Sequence, residues 1–174
     1  MNEMFLLDTN TFLTPYESYY APDLAPSFWN ALEKVLTKHE KVAVLDLVED
    51  EILKGADNLT QWFQELTAKQ IIKIISHDDI EIISWYGKVL QFLQENPLYT
   101  DRALRNWAQQ NIADPWLIAA AKAYGYTIIT FEIPAGTITA NSPTSKPKIP
   151  TVGRHFDVVC HNLYYFMRQM NIKL

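Results

Sequence analysis

The sequence predicts an α/β domain built on a central parallel sheet, and three observations carry that expectation. Short apolar runs alternate along the chain with longer segments whose apolar residues recur at helical spacing. Such alternation implies parallel strands joined by crossover helices, with both faces of the sheet covered. A length of 174 residues suits one domain, taken here as residues 1–174, and is short for two. The 48% hydrophobic content argues against disorder. No apolar run approaches the ~20 residues that span a bilayer, and the N-terminus lacks the basic start of a signal peptide. Cys160 is the only cysteine, which excludes an intramolecular disulfide and a cysteine metal cluster. A reducing cytoplasm is the expected location.

Each element follows from a local signal. Met4–Leu7 is apolar throughout and ends at Asp8, as a buried strand does. Pro15, Pro22 and Pro26 mark a loop, after which Phe28, Trp29, Leu32, Val35 and Leu36 predict a helix. Val42–Leu45 reads as the second strand. Asp46 and Glu49 have the spacing of a capping box, which opens a helix that Gly55 closes. Leu59, Trp62, Phe63 and Leu66 mark another helix, while Ile71–Ile75 fits a strand or a buried helix equally. Ile80, Ile83, Val89, Leu90 and Leu93 predict a long helix ending near Pro97, and Leu104 with Trp107 a short one. Asp114 as N-cap and Pro115 in the first turn open the helix Trp116–Tyr124, which Gly125 stops. Tyr126–Phe131 is rich in β-formers and predicts a strand. Residues 132–153 hold four prolines and predict a loop, with a last helix from about Phe156 to Met170.

Charge is unevenly spread. Residues 1–87 hold 6 Lys+Arg and 15 Asp+Glu, a balance of 6 − 15 = −9; residues 88–174 hold 9 and 5, a balance of +4. An acidic body with a basic C-terminal part suits a carboxylate site beside a phosphate-tracking surface. Lys146, Lys148 and Arg154 are the candidate substrate-binding residues.

In open α/β sheets the ligand crevice lies beyond the carboxyl ends of the strands. Asp8 ends the first strand, Glu132 follows the strand 126–131, Asp114 opens the helix before that strand, and Glu51 rides on the helix after the second. Four carboxylates in one crevice repel one another, so a divalent cation or raised pKa values are expected. Oxygen-only donors suit Mg²⁺ or Mn²⁺ rather than zinc. Asn10 and Thr130 are placed to orient a carboxylate or a water.

Four stretches in order resemble the motifs of PIN domains: Leu6-Leu7-Asp8-Thr9-Asn10, Val44–Gly55 with Glu51 at its acidic position, Ala113–Ala121 with Asp114 opening an Ala-rich helix, and Ile128-Ile129-Thr130-Phe131-Glu132. The resemblance spans about residues 4–132 and is nearest to a compact bacterial toxin-type subgroup with a Thr-x-Glu final motif. It implies a PIN-like three-layer α/β/α fold and a metal-dependent ribonuclease, commonly the toxin of a toxin–antitoxin pair. By that resemblance Asp8, Glu51 and Asp114 would hold Mg²⁺ or Mn²⁺, with Glu132 as the fourth catalytic acid. Glu132 stands where the family usually has aspartate, which leaves open whether it would touch the ion directly or through water. An RNA substrate, a cognate antitoxin and a homodimer are the partners implied. The alternative is a PIN-fold protein that binds RNA or a partner without cleaving. A phosphatase of the haloacid-dehalogenase type is disfavoured, because that chemistry wants a second aspartate where Asn10 stands.

Overall fold

A computed structural model of the protein describes residues 3–174. Five strands, β1 (Met4–Leu7), β2 (Val42–Leu45), β3 (Ile74–Ile75), β4 (Tyr126–Ile129) and β5 (Cys160–His161), form one sheet in the order β3-β2-β1-β4-β5. Every pairing is parallel, with Leu7 opposite Val44 on one side and Ile129 on the other. Every residue of β2 and β4 is buried, as expected of strands covered on both faces. The cover comes from α1 (Asn10–Thr14), α2 (Pro26–Leu36), α3 (Asp46–Leu53), α4 (Asn58–Ala68), α5 (Ile80–Glu95), α6 (Asp101–Trp107), α7 (Asp114–Tyr124), α8 (Ile149–His155) and α9 (Leu163–Gln169).

Aromatic contacts join these helices into two groups. Phe12 meets Phe63, and Trp29 meets Trp62, edge to face, which ties α1 and α2 to α4. On the other side Tyr86 stacks on Trp116 at 3.6 Å and Phe92 meets Phe156, tying α5 to α7 and to the end of α8. Phe166 of α9 packs its edge on Phe5 of β1. Edge and offset geometries of this kind add about 0.5–1.5 kcal/mol per pair beyond burial.

The structure departs from the sequence expectations at five places. The segment after Asp8 is helical: α1 runs straight into a π-helical turn, Pro15–Tyr19, closed by the Tyr20 N–H on the Pro15 carbonyl at 2.7 Å. Pro15 is tolerated because it opens that turn, where its missing N–H costs little. Asp46 does not form the capping box. Leu45 is the N-cap, and the Asp46 carboxylate instead accepts from its neighbour's N–H, from the His77 backbone and ring, and from Ser76. That pins the end of β3 to the start of α3. Asp114 is the first helical residue rather than the cap, which is Ala113. β4 stops at Ile129, two residues early. Finally, the region 149–170 is not loop then helix. α8 begins at Ile149, Asp157 turns the chain with φ 56°, and Cys160–His161 adds the fifth strand before α9.

Candidate active site

β1 leads to β2 and β3 on one side, while β4 and β5 lie on the other. Strand order therefore reverses between β1 and β4, and the crevice beyond their carboxyl ends is where open α/β sheets bind ligands. The sequence places acids at that point. Asp8 directly follows β1, and Thr130 and Glu132 follow β4. The other two arrive on the first turn of α7 (Asp114) and on α3 (Glu51).

Asp8 is 4% exposed. The Thr130 hydroxyl donates to its Oδ2 at 2.7 Å and the Asn10 amide to the same atom at 3.3 Å. Thr130 is itself buried, and its hydroxyl also accepts from the Glu132 N–H at 3.0 Å, so one side chain fixes both acids. The Glu51 carboxylate accepts from the Thr9 hydroxyl at 2.6 Å. Glu132 accepts from the Lys148 ammonium at 2.6 Å and from the Ile149 N–H at 2.8 Å.

Burial and mutual repulsion act on these groups together. Burial raises the Asp8 carboxyl to about 6, Glu132 adds repulsion, and the Thr130 hydrogen bond works against both. Asp114 is raised further, to about 7, first by burial and then by Asp8, Glu132 and Glu51; Lys148 opposes the rise. A carboxylate surrounded by three others and one ammonium favours a proton or a cation. Asp8, Glu51 and Asp114 supply oxygen donors, which suits a hard divalent ion in kind. Among the described residues no three metal-ligating side chains are gathered closely enough to hold an ion as they stand.

The three basic candidates part company. Lys148 lies inside the cluster as the partner of Glu132. Arg154 is exposed and lines a neighbouring groove, while Lys146 is exposed on the loop before α8. Sequence reasoning missed the role of Thr9, which sits between Asp8 and Asn10 and is buried with its hydroxyl on Glu51. The signal available was its position inside the Asp-Thr-Asn stretch. The Lys148–Glu132 pair had no such signal, because the two stand 16 positions apart along irregular chain.

The profile of a family described as "Domain of unknown function (DUF4411)" matches residues 5–174. No curated protein matches the sequence. Among solved structures, VapBC2 from Rickettsia felis, bound to a DNA fragment from its promoter, is 14% identical with a TM-score of 0.53, over 91% of this chain and 98% of that one. DNA-bound VapBC from Salmonella typhimurium is 10% identical with a TM-score of 0.52, over 92% and 98%. FitAcB from Neisseria gonorrhoeae is 14% identical with a TM-score of 0.52, over 93% and 99%. At these identities the likeness is one of fold, and the fold is PIN-like.

Proposed function

We propose that this chain, which belongs to the DUF4411 family, is a metal-dependent endoribonuclease that hydrolyses RNA phosphodiester bonds and acts as the toxin of a toxin–antitoxin pair. One observation carries the reading: at the switch point of a PIN-like sheet Asp114 feels the charges of Asp8, Glu132 and Glu51 from other elements, and burial with that repulsion holds Asp8 and Asp114 well above the usual carboxylate range. Such an arrangement is costly for a structural site and suits one that receives a cation. Asp8, Glu51 and Asp114 would hold Mg²⁺ or Mn²⁺, which supplies a water of lowered pKa and offsets charge on the phosphate. Thr130 and Asn10 orient Asp8, and Thr9 orients Glu51. Lys148, held by Glu132, places a positive charge beside the acids, where an approaching phosphate needs it. The neighbours VapBC2, VapBC and FitAcB support a cognate antitoxin protein as partner. Among the described residues no helix is long and apolar enough to cross a membrane.

A second reading, a PIN-fold protein that binds RNA or a partner without cleaving, is favoured by the engagement of both Glu132 oxygens with Lys148 and Ile149. Incubating the purified protein with total RNA, with Mn²⁺ or with EDTA, beside Asp8→Asn separates the two. Fragmentation that needs both Mn²⁺ and Asp8 supports the nuclease. Intact RNA in every lane supports the binding protein.

A further inference from the structure

A groove of about 870 Å³ opens beside Glu132. Its size is that of a ligand site. Thr130 and Glu132 belong to its wall, so it is continuous with the candidate active site. Two stacked ring pairs line it. Tyr19 lies on Phe131 with centroids 6.0 Å apart and planes 12° from parallel, and His161 lies on Tyr165 at 3.7 Å and 18°. Tyr19 is 57% exposed, so its ring stays accessible although it stacks on Phe131. From α8 and α9, Arg154 and Arg168 face the same groove; both are exposed, and neither forms an ion pair among the described residues.

Exposed ring faces beside unpaired guanidiniums suit a ligand that is flat-sided and polyanionic at once. A single nucleic-acid strand is that ligand, because its bases are free to stack on side chains. A duplex keeps its bases stacked on one another. We infer that this groove seats the single-stranded segment of RNA next to the scissile bond, with Tyr19 as a stacking platform and Arg154 and Arg168 on its phosphates. The inference rests on the ribonuclease reading and adds to it the path of the substrate strand.

Fluorescence anisotropy of a labelled RNA of about ten nucleotides, in EDTA so that binding is read without cleavage, tests it. An Arg154→Ala/Arg168→Ala variant is expected to raise Kd about tenfold and to flatten the slope of log K against log salt by about 1.4, since each phosphate contact on a single strand contributes about 0.7. Tyr19→Ala is expected to weaken binding by roughly fivefold or more. The same sequence as a duplex is expected to bind less well. Variants that bind like the parent, a duplex that binds as well as the single strand, or a parent that binds no RNA would each overturn the inference. So would variants that keep RNA but lose a co-purifying protein, since the groove then serves that protein. Cleavage of the same RNA in Mn²⁺ keeps the two claims apart. A parent that cleaves, with unaffected variants, removes the groove alone; a groove-dependent binder that never cleaves removes the nuclease alone.

Discussion

Asp8 and Asp114 have opposite meanings for stability and for chemistry. Both carboxyls are raised above their usual value of 3.8, to about 6 and about 7, so the folded protein binds protons that the unfolded chain has already released. Stability of the metal-free protein therefore falls as pH rises from about 4 to about 7, and levels off above that window. For Asp8 the shift corresponds to a loss on the order of 3 kcal/mol. Asp8→Asn or Asp114→Asn is accordingly expected to raise the Tm of metal-free protein at pH 8 by roughly 3–8 °C, with little change near pH 4. The same variants should cut RNA hydrolysis by roughly 10³-fold or more. Thermal melts at the two pH values and a cleavage assay check both halves; a variant that cleaves like the parent refutes the assignment. Asp114 is not the N-cap of α7, so its loss leaves the cap geometry unaltered. Glu132 differs in kind, because its oxygens anchor Lys148 and the start of α8. Glu132→Gln keeps one acceptor for these donors and is expected to lower turnover only about tenfold. A loss as complete as that of Asp8→Asn would make Glu132 a direct participant.

At the scale of elements, the site depends on how α3 is held. Thr60 on α4 donates its hydroxyl to the Ile52 carbonyl at the end of α3, at 2.9 Å. Gly55 passes so close that a Cβ there would run into this hydroxyl, which is committed and cannot retreat. Gly55→Ala is thus expected to destabilise the protein by about 1–3 kcal/mol and to disturb Glu51 one turn earlier. Urea unfolding together with cleavage assays would show both effects, and unchanged stability would refute the packing argument. The same scale shows which parts of the fold were legible. β1, β2 and the start of β4 were legible because buried parallel strands are short unbroken apolar runs. Gly125 was legible as a stop because φ +73° at that position favours glycine. The π-helical turn was hidden by Pro15, and β5 by the expectation of one long terminal helix. Val158-Val159-Cys160 carried the β signal there, and the left-handed Asp157 broke the helix before it. Local rules misjudged Asp46 as a cap because its actual partner, His77, lies 31 positions away in the turn after β3.

For the whole molecule, topology does what no single motif could. Residues 8, 51, 114 and 132 are spread over most of the chain and come to one end of the sheet because β1 has β4 on one side and β2, which leads into α3, on the other. The order of acids could be read from the sequence; the Lys148–Glu132 pair and the Tyr19–Phe131 stack could not, since each joins residues far apart in the chain that no local pattern relates. With a cation received at this junction, Mn²⁺ is expected to raise the Tm of the parent at pH 8, and to do so far less for Asp8→Asn or near pH 4, where protons occupy the acids. Equal stabilisation of parent and variant would place the ion elsewhere. Metal-assisted attack by water on an RNA phosphate leaves its mark on the ends of the product. A defined RNA cleaved in Mn²⁺ should yield a 5′-phosphate on the downstream fragment and a 3′-hydroxyl on the upstream one, with no product in EDTA. A 2′,3′-cyclic phosphate, or equal cleavage in EDTA, would show attack by the ribose without the ion and refute metal-assisted hydrolysis.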